Sequence, residues 1–429
     1  MSQLDQLKPK EIWREFFEIC KIPHGSGNID ALRTFLRQRC EAQGFKCSED
    51  DAGNLLVVKE ADSGFEKCPT ICLQGHLDMV CSKRADSNHD FVRDPIKPQL
   101  VTQDGKKVVT ATGTTLGADN GIGVAMALAY IFDRGNKSGR IEVLCTKDEE
   151  TTMSGVKGLA TDVLTAKYLI NIDSEEVGSI TIGSAGGFNS ELSFDGLPAE
   201  KSKSPCQCVT LAVRHCQGGH SGLDVNKYTA NANKLLARIV SRAVEAGGCI
   251  CTFNGGTAHN AIPMDAKACI NFDNLSPDHL DNFLDEARRM GADIAAEYKT
   301  TDPKLQVEVT TGCSCEGGCQ HLNAKDSRRL VDVLLAQPVG VLRMSPDVEG
   351  LTESSVNMGY VRFTAGTGGK VIILTRSSIN SFLRTADDAW GALARLAGFP
   401  YRGMLDAYGG WAPNPQSPLL KCCKTAYAR

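Results

Sequence analysis

The 429-residue chain has no apolar run approaching the roughly 18 residues that cross a membrane as a helix, so no spanning segment is expected. Its opening, MSQLDQLKPKEIWREFF, is charged throughout and lacks the apolar stretch of a secretion signal. Neither sign of charge prevails: 47 Lys and Arg face 51 Asp and Glu, for a formal net charge of -4. With no basic excess, there is no ground for a nucleic-acid partner or an anionic membrane surface. Internal repeats and low-complexity tracts are also missing. Cysteine is plentiful at 18, yet Cys72, Cys145 and Cys269 each sit singly inside apolar runs, as reduced buried thiols do. A cytoplasmic protein is expected. The 42% hydrophobic and 23% charged fractions are those of a soluble globular chain, and the length calls for two or more domains.

Segments EIWREFFEICKI and ALRTFLRQRCEAQG space their apolar residues as single helical faces. Short β-type runs then alternate with helical ones: NLLVVKE, TICLQ, the helix GVAMALAYIF, RIEVLCT and YLINI. That alternation predicts an α/β catalytic domain, a three-layer sheet with helices on both faces, over residues 1–187. Around Gly186–Gly187 the texture changes, and SELSFDGLPAEKSKSPCQ reads as a boundary. Beyond it, strands come in adjacent pairs between helices, which predicts an inserted α+β domain over 188–380. From Ser381 the helix FLRTADDAWGALARLAG is expected to lead back, so that 381–429 returns to the catalytic domain.

Four stretches place an acid or imidazole just after an apolar run: TICLQGHLDMV (His76, Asp78), GTTLGADNGIG (Asp119), IEVLCTKDEET (Glu149, Glu150) and YLINIDSEE (Asp173). In an open α/β sheet the carboxyl ends of the strands form the ligand crevice. One His and several carboxylates there make an N/O donor set for zinc or a similar divalent ion. His76 and Asp78, two apart on an extended segment, face the same way, so Asp78 can orient the imidazole. Asp119 opens a helix, either as a simple N-cap or as a carboxylate bridging two metals. No Lys-Ser/Thr follows its glycines, which argues against a phosphate loop. Of the adjacent Glu149 and Glu150, one can ligate metal while the other removes a proton from the attacking water.

In the inserted region, His220 lies in the glycine-flanked RHCQGGHSG, where an imidazole can approach an oxyanion. Arg376 ends KVIILTR and suits a substrate carboxylate, although an ordinary surface Arg reads the same way. The sulfurs of GCSCEGGCQH (Cys313, Cys315 and Cys319, with His321) do not match common zinc spacings and are read as a reduced, glycine-rich loop.

Together QGHLDMV, GTTLGADNGIG, TKDEET, NIDSEE, GGHSG, FNGGTxxNAIP and GWAPNPQSPLL resemble the aminoacyl-histidine (Xaa-His) dipeptidases, within the aminoacylase/carboxypeptidase group of di-zinc exopeptidases. The similarity runs nearly end to end. It implies two zinc ions, with Co2+ or Mn2+ as substitutes: His76 and Asp173 on one, Asp119 bridging, Glu150 on the second. Glu149 would then be the general acid/base and Asp78 the orienter of His76. His220 would polarise the scissile carbonyl, with Asn260 and Arg376 contacting a small peptide substrate. A zinc domain and a lid domain are implied. A homodimer is compatible, with His220 serving its own site or that of a second copy.

Relatives of this type carry a late histidine that completes the second zinc, whereas none of the eight histidines here lies beyond His321. The chain stops at KCCKTAYAR, inside what reads as a helix begun near Ser417. Two expectations follow: a truncated enzyme whose second site has only Asp119 and Glu150, or a non-catalytic descendant acting as a binding partner.

Overall fold

In the computed structural model, which describes residues 3–202, 206–273, 275–312 and 319–428, the first periodic segments are helices as their spacing predicts. α1 (Lys10–Cys20) buries Phe16, Ile19 and Cys20, and α2 (Asp30–Ala42) buries Leu32, Leu36 and Cys40 at four-residue steps. There follow β1 (Lys46–Glu49), β2 (Leu55–Lys59), β3 (Ile71–His76), a hairpin of β4 (Pro98–Gln103) and β5 (Lys106–Ala111), and α3 (Ala118–Phe132). Next come β6 (Ile141–Thr146), the one-turn α4 (Ser154–Lys157) and β7 (Tyr168–Asn171). These elements belong to the first of two compact units, Met1–Ser179 and Ile180–Arg429. Among the described residues no helix is long and apolar enough to cross a membrane.

The first unit's sheet has the order β1-β2-β6-β3-β7. β3 runs parallel to both β6 and β7, so those three strands end at one edge. Leu55, Val57, Ile141, Val143 and Cys145 face a core shared with α1, α2 and α3. The alternate positions Leu56, Val58, Cys72 and Leu144 face the other way. That face is closed by Leu159, Val163, Leu164 and Ala166, an irregular segment, where the alternation had predicted helix. Burial pushes the Cys72 and Cys145 thiols up to about 12, which keeps them protonated.

The second unit begins with β8 (Gly186–Ser193), β9 (Ala199–Lys201), β10 (Cys208–Arg214), α5 (Ala232–Glu245), β11 (Cys249–Gly255), β12 (Ala266–Asn271) and α6 (Pro277–Glu297). It continues with β13 (Gln306–Thr311), β14 (Gln320–Leu322), α7 (Ala324–Ala336), β15 (Gly340–Met344), β16 (Thr352–Thr364), β17 (Gly368–Ser377), α8 (Asn380–Ala397), β18 (Tyr401–Tyr408) and α9 (Pro418–Tyr427). The large sheet runs β13-β10-β12-β11-β16-β17-β8-β18, with β15 added beside β16, and every pairing is antiparallel. α5, α6, α7 and α8 bury Leu236, Phe283, Leu330 and Trp390 into one core on this sheet. The predicted α+β character is observed.

The boundaries differ from the expected 187 and 381. β8, read as part of a linker, is an internal strand whose Phe188 and Leu192 enter the core. α8 does not return to the first unit's sheet: Leu383, Ala386, Trp390 and Ala394 lie in the second unit's core, and β18 pairs with β8. The physical reason is the amphipathic face of α8, matched by Trp390, whose indole N–H donates to Thr375 Oγ1 at 2.9 Å. The expected C-terminal helix is α9, capped by Ser417.

Candidate active site

β3 ends on His76, whose side chain is 1% exposed. Its Nδ1 donates to the Asp78 backbone carbonyl at 2.9 Å, with Asp78 Oδ1 behind it at 3.4 Å. The ring is therefore anchored mainly through the Asp78 backbone carbonyl rather than its carboxylate, and Nε2 is left to face three acids. Asp119 Oδ1 is 2.9 Å from that nitrogen, Asp173 Oδ1 3.6 Å and Glu149 Oε2 3.9 Å. Donor atoms of His76, Asp119 and Glu150 all lie within 4.8 Å of one another.

Asp119 sits where α3 opens, in extended backbone (φ -82°, ψ 110°), and its carboxylate turns to His76 rather than capping the helix. Asn120, which the sequence reading passed over, locks the assembly. Its amide nitrogen donates to the Ile172 carbonyl and to Asp173 Oδ1, both at 2.6 Å, while its Oδ1 accepts the His76 N–H at 3.3 Å. An amide next to a candidate ligand is the signal the sequence offers, and Asn is too common at helix starts for that to stand out.

Asp78 has a second task. Its carboxylate accepts the Ser26 hydroxyl at 2.7 Å and the backbone N–H groups of Glu149 and Glu150 at 2.9 and 3.2 Å. The loop after β6 is thus fastened so that the acid pair stands beside His76. Burial alone would raise the Asp78 carboxyl, but its bonds to His76, Ser26, Glu149 and Glu150 hold it down to about 2.

The rest of the cluster is electrostatically short of positive charge. Burial, then the charge of Asp119, raises Asp173 and Glu150, with His76 opposing in both cases. Burial works against a charged His76, yet the Asp78 hydrogen bond, the Asp173 charge and Asp119 raise it to about 9. A pocket that lifts its acids and draws a cation to Nε2 is chemically matched to a divalent metal. The residues present fit that group.

In the second unit, His220, Asn260 and Arg376 come together. His220 Nδ1 accepts the N–H groups of Gly222 and Leu223 at 3.2 and 3.1 Å, which fixes the tautomer with hydrogen on Nε2. Gly222 packs closely against both side chains: a Cβ there would stand 3.2 Å from His220 Cε1 and 3.4 Å from Arg376 Nε. Asn260 is exposed, with its carbonyl accepting the Ser221 N–H at 2.9 Å. Asn357 clamps the same loop through the carbonyls of His259 and Ala261. Arg376 Nη1 donates to the Tyr408 hydroxyl at 2.8 Å, while its Nε is buried with no partner among the described residues. Tyr408 and Gly222 were not singled out from sequence. Cys313 and Cys315 lie outside the described residues.

The sequence model of peptidase family M20/M25/M40 matches residues 72–336. A cytosol non-specific dipeptidase of Escherichia coli is 37% identical over 100% of this chain and 86% of its own length. The crystal structure of an aminoacylhistidine dipeptidase from Vibrio alginolyticus superposes with a TM-score of 0.93 at 34% identity, covering 100% of this chain and 85% of that one. An uncharacterised Bacillus subtilis protein, YqjE, is 23% identical over 67% of this chain and 72% of its own length.

Proposed function

Since the chain belongs to peptidase family M20/M25/M40, we propose that it is a metal-dependent dipeptidase acting on dipeptides with a free amino terminus, Xaa-His among them. The observation that carries the reading is the convergence on His76 Nε2 of three carboxylates from separate stretches of the chain, Asp119, Glu149 and Asp173. His76 and Asp173 would hold one ion, Asp119 would bridge, and Glu150 would hold the second. Zinc suits this donor set, with Co2+ or Mn2+ as substitutes. When bound, the ions supply Lewis-acid polarisation of the peptide carbonyl and a water that is acidic near neutral pH.

Glu149 accepts a proton from the attacking water and returns it to the leaving amine nitrogen. Asp78 is a positioning residue, fixing both the His76 ring and the Glu149–Glu150 backbone. His220 presents its Nε2–H to the carbonyl oxygen as negative charge develops there. Arg376 suits the substrate carboxylate, and Asn260 the peptide beside it. The E. coli relative's name and the buried, protonated thiols support a cytoplasmic setting.

The test is hydrolysis of a dipeptide panel, Xaa-His and others, by the purified chain with zinc added, beside Glu149→Ala. Activity in the wild type that falls by about 10²–10⁴ in the variant is expected for loss of a general base. A folded wild type that cleaves nothing in any of the three metals would overturn the reading and leave a binding protein.

A further inference from the structure

The second unit holds a cluster of another kind, four buried sulfurs. Cys208 is 4% exposed, Cys251 1%, Cys269 0% and Cys319 6%, and their sulfur atoms all lie within 4.8 Å of one another. Cys208, Cys251 and Cys269 stand on β10, β11 and β12, three neighbouring strands, and Cys319 immediately precedes β14. They occupy the sheet face turned away from the helices. On β10, Val209, Leu211 and Val213 enter the main core, and on β12, Ala268 and Ile270 do, so Cys208 and Cys269 point the other way.

β11 needs a special device to join them. Ile250 pairs with Ile270 and Thr252 with Cys269, which leaves Cys251 as the extra residue of a β-bulge. The bulge explains why Ile250 and Phe253, three apart, both reach the core. Cys251 and Thr252 are then both turned to the outer face.

Cysteine used as a small apolar filler mixes with aliphatic side chains. Here the buried cluster contains cysteines alone, with the half-buried Cys206 against it. Cys208 and Cys319 sulfurs are 3.6 Å apart, far beyond a disulfide bond of about 2.05 Å. Zinc–sulfur bonds of about 2.3 Å at tetrahedral angles separate sulfurs by about 3.8 Å. An iron–sulfur cluster, with sulfides bridging its irons, would hold its cysteines further apart. The Asn271 amide donates to Cys208 Sγ at 3.8 Å and to Ser202 Oγ at 3.0 Å, an outer contact of the sort that supports a thiolate ligand.

We infer that Cys208, Cys251, Cys269 and Cys319 form a closed four-thiolate site for one zinc ion, separate from the proposed catalytic centre. With four protein ligands it has no open position, so its role is structural. Uptake of Zn2+ releases four protons and leaves a centre of net charge 2-, and it ties the β9–β14 pair to the outer face of the sheet.

The test uses Co2+ as the probe on the reduced full-length chain in a His76→Ala background, which removes a proposed catalytic ligand. A thiolate-to-cobalt charge-transfer band in the near ultraviolet, saturating at one equivalent, is expected. Nitrogen and oxygen ligands do not produce such a band. Adding Cys251→Ser and Cys269→Ser should abolish it. No band in the His76→Ala protein overturns the inference, and so does a band that survives the double serine change or a Cys208–Cys319 disulfide in the purified protein. Because the readout is spectroscopic, failure here leaves the dipeptidase reading untouched, and loss of dipeptidase activity leaves the band untouched.

Discussion

Asn120 is the residue whose removal should be most revealing. It satisfies a strand N–H, a carbonyl and the Asp173 carboxylate at once, from a position only 3% exposed. Asn120→Ala leaves these groups unpaired, for a cost of about 1–3 kcal/mol in thermal or denaturant unfolding. It should also weaken metal binding by about 10–100-fold, because Asp173 loses its outer support. Unchanged zinc affinity by calorimetry would mean that Asp173 needs no such support. His220→Ala should lower kcat by about 10²–10³ with KM little changed, if its Nε2–H meets charge only in the transition state. A matched rise in KM instead would make it a ground-state contact. His76, Asp119, Glu149, Glu150 and Asp173 were legible because carboxylates and imidazole stand out against the apolar runs they follow. Asn120, Ser26 and Tyr408 were not, since their roles come from partners 32 to 53 positions away and no local pattern announces them.

α3 meets the end of β7 too closely beside this site to tolerate extra volume. A Cβ on Gly123 of α3 would stand 2.2 Å from the Ile172 carbonyl and 2.9 Å from Asn120 Oδ1. Gly123→Ala must therefore shift α3 away from the end of β7, a strain of about 1–3 kcal/mol, and should loosen metal binding with it. A variant with wild-type Tm and zinc affinity would refute that account. At this scale, amphipathic helices and β-branched strands were readable, and β2, β3, β6, β10, β12 and β17 fall where their runs place them. β8 was hidden because its inward Phe188 and Leu192 are separated by small and polar residues beside a glycine pair, which reads as linker. The outlook for Cys269 also changed: a lone thiol in an apolar run became one of four once register and bulge brought the strands together.

Each unit carries its own core, so the chain should unfold in two calorimetric steps. At 100 times its dissociation constant, zinc should stabilise the Met1–Ser179 unit by about 2.7 kcal/mol, and His76→Ala should cancel that shift. One transition that ignores the substitution would contradict the separate cores. The large antiparallel sheet has a consequence for synthesis on the ribosome. β8 is the first of its strands to be made, yet both of its neighbours, β17 and β18, are among the last. The gap from Ser193 to Gly368 takes roughly 10–35 s to translate at about 5–20 residues per second. Through that interval β8 lacks both of the strands it pairs with. The earliest strand of the sheet therefore waits on the two latest, and its Phe188 and Leu192 are exposed to non-native contacts until those strands arrive.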